Sequence, residues 1–312
     1  MPQSREVVGC DVSSRELELR GPDEAKSWRV ANSPSGWREL VRRWAGRPVV
    51  VGVEPSGGYE QGLVRALVAA GITVRWADPG RVRALARALG APAKTDAIDA
   101  AMIARYVAET GGRPVVLDPP RQALRELLTA RRAALESGRR LIQQARLLAT
   151  GAPRQALEQL AAQALETARA LRLRLVEALR QDPRLEPQWR LLQTAPGVGP
   201  LVAADLVAEM PELGRVSGKA IAKLVGLAPF IRQSGVWRGK ASCSGGRTQP
   251  RCALYMATMA ALRAKSALRP AYDRLVANGK PRMVALVACM RRLIVALNAM
   301  TATQTPWRGL TP

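Results

Sequence analysis

The chain has 312 residues, of which 48 are Lys or Arg and 25 are Asp or Glu, giving a formal net charge of +23. A hydrophobic content of 47% excludes a disordered chain, and the length suggests more than one domain. The sequence contains no His, which excludes Ser-His-Asp and Cys-His catalysis, His-ligated zinc and imidazole proton transfer. So large a positive charge predicts a polyanionic partner, most simply nucleic acid.

The chain has four cysteines and no CxxC pair: Cys10, Cys243, Cys252 and Cys289. We expect them to be reduced thiols, mostly buried, as in a cytoplasmic protein. The first residues lack the apolar core of a signal peptide, and the longest apolar run, residues 283–290, stops at two arginines. We therefore expect no membrane contact.

Residues 5–110 alternate between strand and helix patterns. Apolar, β-branched segments predict strands at 6–12, 17–20, 28–31, 48–53 and 72–77. Apolar residues at helical spacing predict helices at 35–45, with Ser35 as N-cap, and at 59–70, 81–89 and 96–107. The order β-β-β-α-β-α-β-α predicts an α/β domain of the ribonuclease H-like type, an order that other α/β folds share.

A helical segment follows two prolines at 119–120. Leucines at heptad spacing predict two long helices between 121 and about 181, and the break at 151–153 turns them into a hairpin. We interpret this hairpin as a coiled-coil arm that packs on a second copy of the chain or clamps nucleic acid. An ordinary spacer that packs on its own chain is the alternative.

Residues 191–312 form a helical, loop-rich third segment. It holds 17 Lys and Arg against 4 acidic residues, which is more than half of the net charge of +23. The main nucleic-acid surface is therefore expected here. The predicted domains are 1–118, 119–190 and 191–312.

Four carboxylates in the first domain are candidate metal ligands. Asp11 ends the first predicted strand, and Glu54 follows the buried strand 48–53, so both would lie at the carboxyl edge of a parallel pair. Asp96 and Asp99 are three residues apart at a helix start and share a face. Oxygen ligands without imidazole suit Mg²⁺, which stabilises the oxygens of a phosphodiester displacement.

Each carboxylate also has a simpler explanation. Asp96 sits where a helix cap is common, and an acidic residue at a strand end is commonly a solvated turn residue. The four together, in this order, favour the metal site over these alternatives.

Three serines in a basic loop are candidate nucleophiles. Ser234 precedes Gly235 and is surrounded by cations that would hold a phosphate, and Ser242 and Ser244 follow in the same loop. An ordinary Ser-Gly turn is the alternative, and composition does not choose among the three hydroxyls.

Residues 194–206 resemble a helix-hairpin-helix element. Gly197 and Gly199 would expose backbone N–H groups to a phosphate at a helix start, although a plain interhelix turn has the same pattern. The basic residues that we expect at the nucleic-acid interface are Lys94, Arg232, Arg238, Lys240, Arg247 and Arg251.

Together these residues resemble the DEDD transposases of insertion-sequence family 110, which are bridge-RNA-guided recombinases. The resemblance covers nearly the whole chain. It rests on six short motifs in order: CDVS at 10–13, VEPSGGYE at 53–60, KTDAIDA at 94–100, PGVGP at 196–200, RQSG at 232–235 and PRMVALVACM at 281–290.

The resemblance implies a RuvC-like (ribonuclease H-like) N-terminal domain, a coiled-coil helical arm and a helical C-terminal transposase domain. It places the catalytic, Mg²⁺-binding DEDD set on Asp11, Glu54, Asp96 and Asp99. The nucleophilic serine of the family falls on Ser234, although Gln233 stands where an acidic residue is common. The implied reaction is Mg²⁺-dependent strand cleavage and exchange through a phosphoserine–DNA intermediate.

The implied partners are donor and target DNA, a structured bridge RNA, and further copies of the chain that form dimers and then tetramers. The implied location is the bacterial cytoplasm, at the nucleoid. Two alternatives remain: a metal-dependent junction-resolving nuclease that uses water as nucleophile, and a non-catalytic nucleic-acid scaffold.

Overall fold

The computed structural model describes residues 6–21, 24, 26–90, 96–230, 233–234, 237–238, 242–264 and 266–308, with the backbone alone given at 96, 233–234 and 237–238. The chain divides between Leu117 and Asp118 into two compact units, which are treated separately below. This division lies one residue from the predicted boundary at 118. The further division of the second unit at 190 stays a prediction.

The described part of the first unit is a mixed sheet with helices. Its strands are β1 (Glu6–Val12), β2 (Glu16–Arg20), β3 (Trp28–Ala31), β4 (Val49–Val53), β5 (Thr73–Trp76) and β6 (Arg113–Pro114). Its helices are α1 (Pro34–Trp44), α2 (Gln61–Ala69), α3 (Pro79–Ala88) and α4 (Asp96–Thr110).

The strand order is β3-β2-β1-β4-β5-β6. The first three strands are antiparallel, whereas β1, β4 and β5 run parallel, and β6 is an antiparallel edge strand that the sequence pattern did not predict. This mixed α/β sheet confirms the predicted class of the N-terminal unit and fits a RuvC-like domain.

Apolar side chains cover both faces of the sheet. Every residue of β4 is buried, which confirms the predicted central strand. One face packs against a cluster that includes Leu40 and Leu63, and the other against a cluster that includes Ile103 and Val107. The N-cap of α1 is Ser33, whose hydroxyl accepts a hydrogen bond from the Gly36 N–H at 3.4 Å, so the prediction of Ser35 was wrong by two residues.

The backbone of α4 lies directly on the sheet. A Cβ at Gly9 would lie 1.9 Å from the Ala100 carbonyl oxygen, and a Cβ at Gly52, its partner on β4, would lie 2.8 Å from Val107 Cγ2. Two glycines side by side therefore leave the space that α4 occupies. This close approach fixes the start of α4 beside the ends of β1 and β4.

The described part of the second unit is mainly helical. Its helices are α5 (Pro119–Leu147), α6 (Ala152–Gln181), α7 (Glu186–Gln193), α8 (Pro200–Glu209), α9 (Gly218–Leu224), α10 (Thr248–Arg263), α11 (Leu268–Ala277) and α12 (Arg282–Thr303). Four two-residue strands lie between α9 and α10: β7 (Pro229–Phe230), β8 (Gln233–Ser234), β9 (Trp237–Arg238) and β10 (Ser242–Cys243).

Helices α5 and α6 pack as the predicted hairpin. Near its base, Leu128 and Leu175 belong to one core with the later helices of the unit. Farther along, Leu147 at the end of α5 and Leu160 in α6 are exposed at 78% and 51% of their surface. The base of the hairpin thus packs on its own chain, and the coiled-coil contact between copies stays a prediction.

Helix α12 is long and apolar enough, by length and composition, to cross a membrane. Half of that apolar window is buried inside the unit, where Leu293, Ile294 and Leu297 are enclosed by the core. Buried core helices can have the same length and apolar composition, so α12 is weak evidence for a membrane span.

The cysteines only partly match the prediction. All four are free, but Cys243 and Cys252 are exposed, so "mostly buried" holds for Cys10 and Cys289 alone.

We predict that Gly9→Ala destabilises the protein by about 3 kcal/mol, because the new methyl group would collide with the backbone of α4 rather than with a movable side chain. The matched control is Gly80→Ala in α3, where the nearest atom to the added Cβ is Asp78 Oδ1 at 3.3 Å. Denaturant unfolding would measure both. Equal stability of Gly9→Ala and the parent chain would contradict the close packing.

Candidate active site

Asp11 and Glu54 lie at the carboxyl edge of the sheet. Strands β1 and β4 are parallel, with Cys10 opposite Val53, so the next residues along the two strands are neighbours. Both carboxylates are half-buried. This is the edge at which open α/β sheets form their binding sites.

Asp99 reaches the same edge from α4. The helix is held against β1 by the close approach at Gly9, and Asp99 lies in its first turns, half-buried. Asp96 is the first residue of α4, and its side chain lies outside the described part of the structure. Its role as a ligand therefore stays a prediction.

The electrostatics of Glu54 show that these carboxylates act on one another. Burial, the largest cause, and the nearby charges of Asp11 and Asp99 together raise the pKa of Glu54 from 4.5 to about 7. Arg83 opposes the shift, and Asp78 adds to it slightly. Glu54 is therefore a carboxylate that remains partly protonated near neutral pH in the absence of a cation.

The described side chains contain no cluster of three Asp, Glu, Cys or His residues close enough to hold a metal ion as they stand. The chemistry of the donor set still fits a hard cation. Asp11 and Asp99 raise the pKa of Glu54, so a positive charge near these half-buried carboxylates would be stabilising, and carboxylate oxygens are preferred ligands of Mg²⁺. The Mg²⁺ centre stays a prediction.

The sequence pattern did not reveal the buried carboxylate of Glu60. Its Oε2 accepts hydrogen bonds from the backbone N–H groups of Ser56 and Gly58 at 3.0 Å each, and from Ser56 Oγ at 2.9 Å. Burial would raise the pKa of Glu60, but hydrogen bonds to the charged form lower it below its ordinary value overall. Glu60 thus fixes the turn that follows Glu54. An acid four residues after a serine in a Gly-rich turn was the available signal.

Ser234 belongs to the second unit. It lies on β8 opposite Trp237 of β9, in a hairpin whose two connecting residues are outside the described part of the chain, as is its own side chain. Ser242 on β10 and Ser244 just after it are exposed. The choice of Ser234 over the other two stays a prediction from the resemblance.

The predicted glycine turn joins α7 to α8. Gly197 has a φ of +78°, and a Cβ there would lie 2.1 Å from the Ala257 carbonyl oxygen of α10. Gly199 is the exposed N-cap residue of α8. Packing against α10 therefore requires Gly197, whereas phosphate binding by either glycine stays a prediction.

Two of the predicted nucleic-acid contacts bind their own chain. Arg247 donates to the carboxylate of Glu212 at 2.7 and 2.6 Å and to the carbonyl of Glu209 at 2.7 Å. Arg251 donates to two backbone carbonyls at 3.2 and 2.5 Å. These bonds hold the start of α10 in place, so structural roles account for both side chains, and contacts with nucleic acid stay predictions.

The remaining predicted contacts are not placed. Lys94, Arg232 and Lys240 lie outside the described residues, and the side chain of Arg238 is not described.

Two family models match the chain. The model of IS110 DEDD transposases, described as a transposase, matches residues 8–152, which include the four predicted carboxylates. The model described as the transposase IS116/IS110/IS902 family matches residues 189–273, which include Ser234. The chain belongs to the IS110 family of transposases.

Relatives of this IS110-family chain include proteins of two kinds. The "Insertion element IS110 uncharacterized 43.6 kDa protein" of Streptomyces coelicolor is 32% identical over 149 residues, which is 47% of this chain and 36% of that protein. The "Pilin gene-inverting protein" of Moraxella bovis is 25% identical over 97% of this chain and 98% of its own length. The protein of the same name from Moraxella lacunata is 25% identical over 82% of this chain and 80% of its own length. The match thus spans about a third of the first relative and nearly all of the second.

We predict that Glu54→Gln stabilises the metal-free protein at pH 8.5. The folded-state pKa of Glu54, about 7, exceeds its unfolded value of 4.5. The charged carboxylate therefore destabilises the folded state. This destabilisation is complete above pH 7 and decreases as the pH falls toward 4.5. The melting-temperature gap between variant and parent, measured with a chelator present, should shrink between pH 8.5 and pH 5.

The control for this series is Glu39→Gln, a change at an exposed glutamate of α1. We expect it to show no such pH-dependent gap. A gap for Glu54→Gln that stays constant from pH 5 to 8.5 would contradict the raised pKa.

Proposed function

We propose that this chain is a Mg²⁺-dependent DNA recombinase that moves an insertion element by cutting and exchanging strands. The observation that carries the proposal is the placement of Asp11 beside Glu54 at the carboxyl edge of a RuvC-like sheet, with Asp99 near enough for its charge to raise the pKa of Glu54. Membership of the IS110 transposase family supports DNA as the substrate.

Asp11, Glu54, Asp96 and Asp99 would hold the cation. When bound, Mg²⁺ supplies positive charge that offsets the charge developing on the scissile phosphate. The carboxylates contribute fixed positions: two come from adjacent strands, and two come from a helix that close packing holds against those strands. A site built on such rigid elements keeps the reacting groups aligned.

Ser234 is the proposed nucleophile. Its oxygen forms a bond to phosphorus while the bond between phosphorus and the 3′-oxygen breaks, which leaves a phosphoserine on one side and a 3′-hydroxyl on the other. The serine loses one proton and the departing 3′-oxygen gains one. Attack of a 3′-hydroxyl from another strand on the phosphoserine then rejoins DNA without an external energy source.

The proposed partners are donor and target DNA, a structured bridge RNA that supplies sequence recognition by base pairing, and further copies of the chain in dimers and tetramers. The formal charge of +23 supports polyanionic partners. Two relatives are named for pilin gene inversion, and inverting a gene requires strands to be cut and rejoined. The proposed location is the bacterial cytoplasm, at the nucleoid.

The test is Ser234→Ala, assayed for a covalent protein–DNA adduct on labelled donor DNA with Mg²⁺ and the RNA transcribed from the element's flank. We expect normal nucleic-acid binding, no adduct and no strand cleavage, because the alanine side chain has no oxygen that could attack phosphorus. Ser242→Ala and Ser244→Ala are matched controls in the same loop, and both should still form the adduct. The parent chain should form it only when the RNA is present.

Each contrary result has a defined meaning. Cleavage that persists in Ser234→Ala without an adduct would show a nuclease that uses water. An adduct lost in Ser242→Ala or Ser244→Ala instead would move the nucleophile. Loss of Mg²⁺-dependent cleavage in Asp11→Asn would support an enzyme, whereas a parent chain that binds nucleic acid but never cleaves it would be a non-catalytic scaffold.

A further inference from the structure

A large groove crosses the second unit at a place that none of the predicted site residues occupies. It lies between the start of α9, one face of α11, one face of α12 and the segment 305–308, and its volume is about 1320 Å³. Its floor is formed largely by small apolar residues of α12, such as Ala288, Val295 and Ala299. All of its lining belongs to one unit.

The walls of this groove carry positive charge. Its five cations come from four separate segments: Lys219, Arg274, Arg291, Arg292 and Arg308. None of the described residues that line the groove is acidic. Asp273, the nearest acid in sequence, faces Arg269 instead, with Arg269 Nε 2.8 Å from its carboxylate. Such a groove attracts a chain of phosphates.

The groove lining also includes an aromatic residue. Trp307 lines the groove, and its backbone N–H donates to Thr194 Oγ1 at 3.0 Å. The chain reaches this position through Gln304, which ends α12 in the left-handed conformation with φ of 51° and turns the segment back. The half-buried Trp307 side chain also packs against the core of the unit, so it is held in place before any ligand arrives and little entropy is lost on stacking.

We propose that this groove binds an unpaired strand of DNA. The cations would contact successive phosphates, while the apolar floor and Trp307 would contact bases, which a duplex keeps inside its stack. A hydrated, purely polar surface would be enough to bind the phosphates of a duplex. An apolar floor between cations instead fits a strand whose bases are exposed. Single strands arise when DNA is cut and exchanged, so the choice of DNA rests on the proposed function.

The experiment measures the binding of a labelled 12-nucleotide single-stranded DNA to the full chain by fluorescence anisotropy. The test variant is Arg274→Glu with Arg292→Glu, two exposed groove arginines on different helices. The control is Arg42→Glu with Arg87→Glu, two exposed arginines on helices α1 and α3 of the first unit that impose the same change of charge. We expect about tenfold weaker binding in the groove variant and less than about threefold in the control.

Two further readouts separate the parts of the groove. Losing two phosphate contacts should reduce the slope of log affinity against log salt by about 1.4 in the groove variant. Trp307→Ala should weaken binding to the 12-mer but not to an abasic oligonucleotide of the same length. Trp307→Phe keeps an aromatic ring and should restore the preference for the 12-mer over the abasic oligonucleotide.

Equal loss of affinity in the groove and control variants would overturn the inference, as would tighter binding of duplex DNA or of RNA of the same sequence. Efficient competition by polyglutamate would identify an acidic protein partner instead. Any of these results can be distinguished from a failure of the proposed recombinase mechanism, because the anisotropy measurement does not depend on Ser234. A chain that binds the single strand in this groove but never forms a covalent adduct would support the groove and contradict the mechanism.

Discussion

Carboxylates that stand side by side repel one another, and a fold that holds them together must balance that repulsion. In this chain Glu54 is the residue that shows the strain, because burial and the charges of Asp11 and Asp99 raise its pKa to about 7. The adjacency follows from parallel pairing of β1 with β4 and from the glycine at position 9 that admits the backbone of α4. A cation is the simplest partner for such a group.

The candidate functional groups are divided between the two units. The first supplies the carboxylates, whereas the second supplies the serines and most of the net positive charge. Within the second unit, some arginines stabilise the fold, as Arg247 does through its ion pair with Glu212. Other arginines line a groove that has no acidic residue among its described lining residues. Under the proposed function, the candidate metal ligands therefore belong to the first unit, whereas the candidate nucleophile and the phosphate-binding groove belong to the second.

The sequence was sufficient where the pattern is local. The buried run of β4 and the positions of Asp11 and Glu54 at strand ends follow from residues close together in the chain. It was insufficient where distant segments meet: Glu60 is recognised through its hydrogen bonds, and the groove cations come from four segments. Ser234 was chosen over its neighbours by resemblance, since a Ser-Gly step in a basic loop has no periodicity to place it.

The central claim is that the carboxylate edge binds a divalent cation. Isothermal titration of Mg²⁺ into the metal-free chain at pH 7, in two buffers of different ionisation enthalpy, measures both affinity and proton release. Because the pKa of Glu54 is about 7, binding should release about half a proton, and Asp99→Asn should weaken it strongly. Binding without proton release, or with the same affinity in Asp99→Asn as in the parent chain, would contradict the account.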